Sequence, residues 1–110
     1  MANAFKNKIA TNVGASEVSV YTAPADTTAT IIGLSVANTS DDDINVSVRL
    51  TDTSESETVY LVKDAPVPVG GSLVVIGSAQ KTIVETTDVL KVTSSATGSA
   101  DVLISMLEQS

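Results

Sequence analysis

ATIIGLSVAN at residues 29–38, TSDDD at 39–43, INVSVRL at 44–50, TDTSESE at 51–57 and TVYLVK at 58–63 form the stretch whose reading decides the fold. Ile32, Leu34 and Val36 alternate with Gly33, Ser35 and Ala37. Ile44, Val46, Val48 and Leu50 alternate with Asn45, Ser47 and Arg49. A period of two places one face of each strand on a core and the other toward water. The separators are polar and acidic, as turns are. Three strands with short polar connections predict an antiparallel meander, the nucleus of an all-β domain.

Working outward, the rest of the chain carries the same signals. Glu17 to Thr22 is a strand after a Gly14 turn, and Pro24 and Asp26 mark the next turn. Pro66 and Pro68 cannot donate to a ladder and belong at an edge or in an extended connection. Gly70-Gly71 predicts a tight hairpin turn. Leu73 to Ile76 is a continuous apolar run, which predicts burial on both faces. Short strands follow at Ile83-Val84, Val89 to Thr93 and Val102 to Leu107. About seven to nine strands without a helical pattern predict a single-domain antiparallel β-sandwich, with immunoglobulin-like or jelly-roll connections. Residues 12–110 form that domain, and residues 1–11 an N-terminal arm or edge strand.

The 110 residues are one domain's worth. Hydrophobic residues make up 43% and aromatic residues only 3%, so the core must be built from Val, Ile and Leu. A formal charge of −7 argues against nucleic acid, whose affinity comes from Lys and Arg on phosphates, and against anionic membranes. No apolar run reaches membrane-spanning length, and the N-terminal residues lack the apolar core of a secretory signal, so synthesis in the cytoplasm is expected. The Asn-x-Ser patterns at Asn38 and Asn45 are therefore not expected to be glycosylated.

With no His and no Cys, the Ser-His-Asp, Cys-His and His-metal constellations cannot form within the chain. Ser78-Ala79-Gln80-Lys81 matches Ser-x-x-Lys, but its place between two strand runs favours a loop over the helical turn that chemistry needs. Neither Asp41-Asp42-Asp43 nor the acidic run from Asp52 to Glu57 has the spacing that wraps a calcium ion. The two loops lie at opposite ends of a strand rising roughly 23 Å, so they cannot share one ion. No enzyme activity, cofactor or metal is expected. Two tyrosines, one phenylalanine and no tryptophan make a poor platform for sugar stacking.

Two segments point to contact surfaces. In the first, Phe5 and Ile9 alternate with Lys6 and Lys8, which are two of the six basic residues, whereas all 13 acidic residues lie outside it. Opposite charge would steer a neighbouring acidic subunit there. In the second, Val102, Ile104 and Met106 share one face of the last strand while Leu103 and Leu107 share the other. A strand apolar on both sides is central or is covered by another subunit. Phe5, Lys6, Lys8, Ile9, Leu103 and Leu107 are the candidate interface.

TIIGLSVANTS (30–40), PVGGSLVV (68–75), TTDVLKVTSS (86–95) and ADVLISMLE (100–108) together resemble small β-sandwich structural proteins of tailed bacteriophage particles. The resemblance spans roughly residues 28–108. It rests on a strand ending in Asn38-Thr39-Ser40, a glycine-containing turn, the Asp88-Val89-Leu90-Lys91-Val92 strand and an apolar closing strand. It implies a non-enzymatic virion component, with decoration or cementing of a capsid as the first role and a neck or tail subunit as the second. The implied partners are other virion proteins, a major capsid protein or neck and tail subunits, together with further copies of the chain as a homo-oligomer. A carbohydrate- or host-surface-binding module is the alternative from another class.

Overall fold

The computed structural model describes residues 3–77 and 81–109. Nine strands follow one another with no helix among the described residues: β1 (Asn3–Val13), β2 (Val18–Thr22), β3 (Thr28–Asn38), β4 (Ile44–Asp52), β5 (Glu57–Val67), β6 (Ser72–Ile76), β7 (Thr82–Val84), β8 (Val89–Ser94) and β9 (Ala100–Gln109). One sheet has the order β1-β9-β3-β6, with β7 also on β3, and the other has the order β2-β8-β4-β5. All pairings are antiparallel. The pairs β4·β5, β3 with β6 and β7, β2·β8 and β1·β9 are successive rungs of one long hairpin. Rolling up that hairpin creates the remaining pairs, β4·β8 and β3·β9. This is a jelly roll, the second of the two connection types the sequence leaves open.

Two aliphatic faces close on each other across the sandwich. Ile31, Leu34 and Val36 of β3 and Ile104 and Met106 of β9 meet Val46 and Val48 of β4 and Leu90 and Val92 of β8, all buried. Tyr21 is the one aromatic residue in this core. The β4 alternation holds: Ile44, Val46 and Val48 point inward, while Asn45, Ser47 and Arg49 point out.

Four expectations are corrected. The predicted meander does not form, because β3 lies in the first sheet while β4 and β5 lie in the second. The loop after β3 is an arch between sheets, pinned by Asn38. Its Nδ2 donates to the Asp42 carbonyl (2.8 Å) and to the Val67 carbonyl on β5 (3.0 Å), and its Oδ1 accepts from Ser40 N (2.9 Å) and Oγ (2.7 Å). Pro68 to Gly71 does make a tight turn, with Gly71 N donating to Pro68 O and Gly70 at φ 74°, but β5 and β6, which it joins, lie in different sheets. The run Leu73–Ile76 is not buried on both faces. β6 is an edge strand, and Val74 is 64% exposed on its outer side. A bulge at Ile32, between the register positions of Ile31 and Gly33, also turns Ile31 rather than Ile32 into the core.

The turn between β7 and β8 is pinned by Asp88, which is 1% exposed. Its Oδ1 accepts from Thr53 N (3.0 Å) and its Oδ2 from Glu85 N (3.1 Å). Asn38 and Asp88 thus serve the fold by satisfying backbone groups where the chain crosses between layers.

Candidate functional site

Strand β1 pairs within the chain, along β9, with Phe5 opposite Leu107 and Ile9 opposite Leu103. Directly opposite residues of an antiparallel pair project from the same face. The register continues across the sheet. Leu107 lies opposite Thr30, which lies opposite Ile83 on β7. Leu103 lies opposite Ser35, which lies opposite Val74 on β6. Two apolar rows therefore cross the outer face of the first sheet. A furrow of small residues, Asn7, Ser105 and Gly33, separates them. The side chains stand in solvent: Phe5 is 79% exposed, Ile9 62%, Leu103 47% and Ile83 50%, with Leu107 half-buried. A shallow depression of about 330 Å³ lies in the furrow, lined by Phe5, Asn7, Ile32 and Ser105 together with Lys6 and Met106.

Among the outward positions of β1, β9 and β3 the only charged residue is Asp101, at the end of the rows, whose Oδ1 accepts from Asn12 N at 3.1 Å. A nearly uncharged apolar sheet face on a chain of formal charge −7 is the kind of surface another protein covers.

Lys6 and Lys8 are not on this face. They lie opposite Met106 and Ile104, whose side chains point into the core, so they project to the inner side of β1 at the open edge of the sandwich. There they line a cleft of about 530 Å³ with Ser19, Tyr21, Met106 and Glu108. Lys6 Nζ sits 2.9 Å from Glu108 Oε1, and the Tyr21 hydroxyl donates to Glu108 Oε2 at 2.5 Å. Inward-pointing lysines on a free edge strand hinder the addition of a further strand. The candidate interface thus separates into two surfaces, with Phe5, Ile9, Leu103 and Leu107 on one and Lys6 and Lys8 on the other.

The hydrogen bond from Tyr21, then that from Lys6, holds the Glu108 carboxyl below its ordinary range. Burial, reinforced by Glu108, pushes the Tyr21 hydroxyl up. A carboxylate with a depressed folded pKa contributes stability above its unfolded value of 4.5, and that contribution is lost as pH falls through the folded value. Glu108→Gln is therefore expected to melt below wild type at pH 7, with the gap closing in a pH series taken well below 4.5. A gap independent of pH would show that the charge of Glu108 is not what holds the edge.

Sequence reasoning missed three features. Val74 and Ile83 extend the apolar face but belong to strands whose outward sides only the register reveals. Glu108 joins Lys6 and Tyr21 from the far end of the chain. The carboxylates of Asp52, Glu85 and Asp88 also gather within 4.8 Å of one another, a set that spans two turns. Asp88 there is engaged with backbone donors, and Asp52 Oδ1 accepts from Ser54 N and Glu55 N.

Of the Ser-x-x-Lys pattern, Ser78, Ala79 and Gln80 lie outside the described residues. The three aromatic residues sit apart. Tyr21 is buried, Phe5 is on the first sheet's outer face, and Tyr60 is on the second sheet with Lys63 5.4 Å and Arg49 5.9 Å from its ring centre. No family model matches the chain, and no curated protein does.

Proposed function

We propose that this is a non-enzymatic structural protein of a tailed bacteriophage particle, decorating or cementing the capsid through surface contacts. The apolar outer face of the first sheet carries the reading. Phe5, Ile9, Leu103 and Leu107 form two rows on a rigid sheet with no charge between them. Such a face fits a permanent partner, since obligate contacts resemble a core cut in half. The jelly roll is found in viral capsid domains as well as in lectins, so the fold is compatible with the reading without deciding it. Dispersed aromatic residues weigh against a sugar-stacking module.

The test uses purified particles. The protein is expected there at a copy number on the scale of the capsid lattice. The double variant Phe5→Lys, Leu103→Lys is expected to melt as wild type, because both side chains face solvent, and to fail to bind particles that lack the protein. Absence from particles, or undiminished binding by the variant, would refute the proposal. A copy number matching a single ring would move the protein to the neck or tail.

A further inference from the structure

A second surface stands out on the opposite side of the molecule. Arg49 on β4 lies opposite Lys91 on β8 and opposite Tyr60 on β5, in one row across the outer face of the second sheet. Lys63, further along β5, lies beside the row, 5.4 Å from the Tyr60 ring centre. One carboxylate serves the cluster. Glu17 accepts two bonds from Arg49, Nε to Oε2 at 2.5 Å and Nη2 to Oε1 at 2.6 Å. Among the described residues Lys63 and Lys91 make no ion pair, and Asp64, in the strand bulge beside Lys63, pairs with neither. Like charges directly opposite each other destabilise a sheet. Glu17, which feels the charge of Lys91 as well as that of Arg49, offsets part of that repulsion, and the three cations still outnumber it.

The chain also presents a matching surface. Asp41, Asp42 and Asp43 are all exposed on the arch that caps one end of the sandwich. The arch is ordered before any partner arrives. Asn38 Nδ2 and Ser40 Oγ donate to the Asp42 carbonyl at 2.8 and 2.9 Å, and Val69 N donates to Asp43 Oδ1 at 2.9 Å. None of the three aspartates pairs with a cation among the described residues. The other acidic loop is less suited, because Asp52 there is engaged in its own turn. From Asp43 to Arg49 strand β4 rises roughly 20 Å. The arch caps the end of the sheet while the row lies on its face, so the two cannot meet within one molecule.

We propose that the Asp41–Asp43 arch of one copy docks on the Arg49–Lys91 row of a second copy. The contact is head-to-tail. Each bound copy still offers one free arch and one free row, so assembly continues into a ring or a filament. Complementary charge sets register and speeds encounter, and salt screens it. The contact is separate from the apolar face and does not depend on the virion reading.

Sedimentation velocity on the purified chain tests this. Wild type is expected to self-associate at about 20 mM salt and to dissociate at about 500 mM, where the screening length is only a few ångströms. Lys91→Glu, which reverses the charge of the row, is expected to be monomeric at low salt. So is the double variant Asp41→Lys, Asp42→Lys, which reverses the arch. Mixed, the two variants are expected to associate again, because the arch of the first fits the row of the second and the two reversed surfaces are themselves of opposite charge. Thermal melts confirm that each is folded, and Lys63→Ala with Lys91→Ala replaces the reversed row if Lys91→Glu is not. The Phe5→Lys, Leu103→Lys variant is expected to associate as wild type. A wild-type chain that stays monomeric at low salt, association that survives in either variant, or a mixture that fails to associate would each overturn the proposal.

Discussion

Val48→Asp is expected to abolish folding. Val48 has no exposed surface, and it lies opposite Val92 on β8 and Val62 on β5, at the middle of the second sheet's inner face. An aspartate there has no cation within the core. Ionised, it would carry an unpaired charge into an apolar interior at a cost of several kcal/mol, and protonated it would still leave its polar atoms without partners. A domain of this size has only about 5–15 kcal/mol of stability in total. The measurement is soluble yield together with circular dichroism, against Arg49→Ser one position along. That side chain points outward, and its pair with Glu17 is partly exposed. Its loss is expected to cost at most about 1 kcal/mol, as for other surface pairs. Equal damage from both substitutions would mean that the two faces of β4 had been exchanged.

The contrast between Val48 and Arg49 is legible in the sequence, because a two-residue period is a local property. Sheet membership is not local. A five-residue polar connection such as 39–43 joins paired neighbours as readily as it arches between layers. Here the arch is pinned by the bond that Asn38 Nδ2 donates to the Val67 carbonyl, across the sandwich and 29 residues on. The Ile32 bulge was hidden for a related reason: Ile31 and Ile32 are equally apolar, and only the register with β9 decides which one is buried. Half of the candidate surface was readable. The alternation of Phe5 and Ile9 with Lys6 and Lys8 already puts the apolar pair on one face. That Leu107 and Leu103 complete that face, and that Glu108 waits on the other for Lys6, depends on pairing the first strand with the last. Val74 shows the limit from the other side. An apolar run with no polar alternation reads as buried on both faces, and an edge strand bearing part of a contact surface has the same composition.

Deleting Met1 to Lys8 is expected to lower the melting temperature of the isolated chain by about 10 °C, the shift that about 2 kcal/mol produces in a domain of this size. The deletion removes β1 opposite β9 from Gln109 through Ile104. Roughly six ladder hydrogen bonds go with it, each worth about 0.5–1.5 kcal/mol net. The entropy of no longer ordering the segment offsets part of that loss. The deletion also uncovers the flank of Met106 in the cleft and leaves Glu108 without Lys6. Strand β9 would become an edge whose outer side carries Leu103 and Leu107, an invitation to aggregation. Scanning calorimetry on dilute, monomeric protein checks this, and an unchanged melt would show that the first half of β1 contributes nothing to the fold. Because Phe5 also stands on the proposed contact face, the truncation alone would confuse loss of the strand with loss of the contact. Phe5→Ser separates them: the ladder bonds are made by the backbone, so this variant is expected to melt as wild type while binding particles less well.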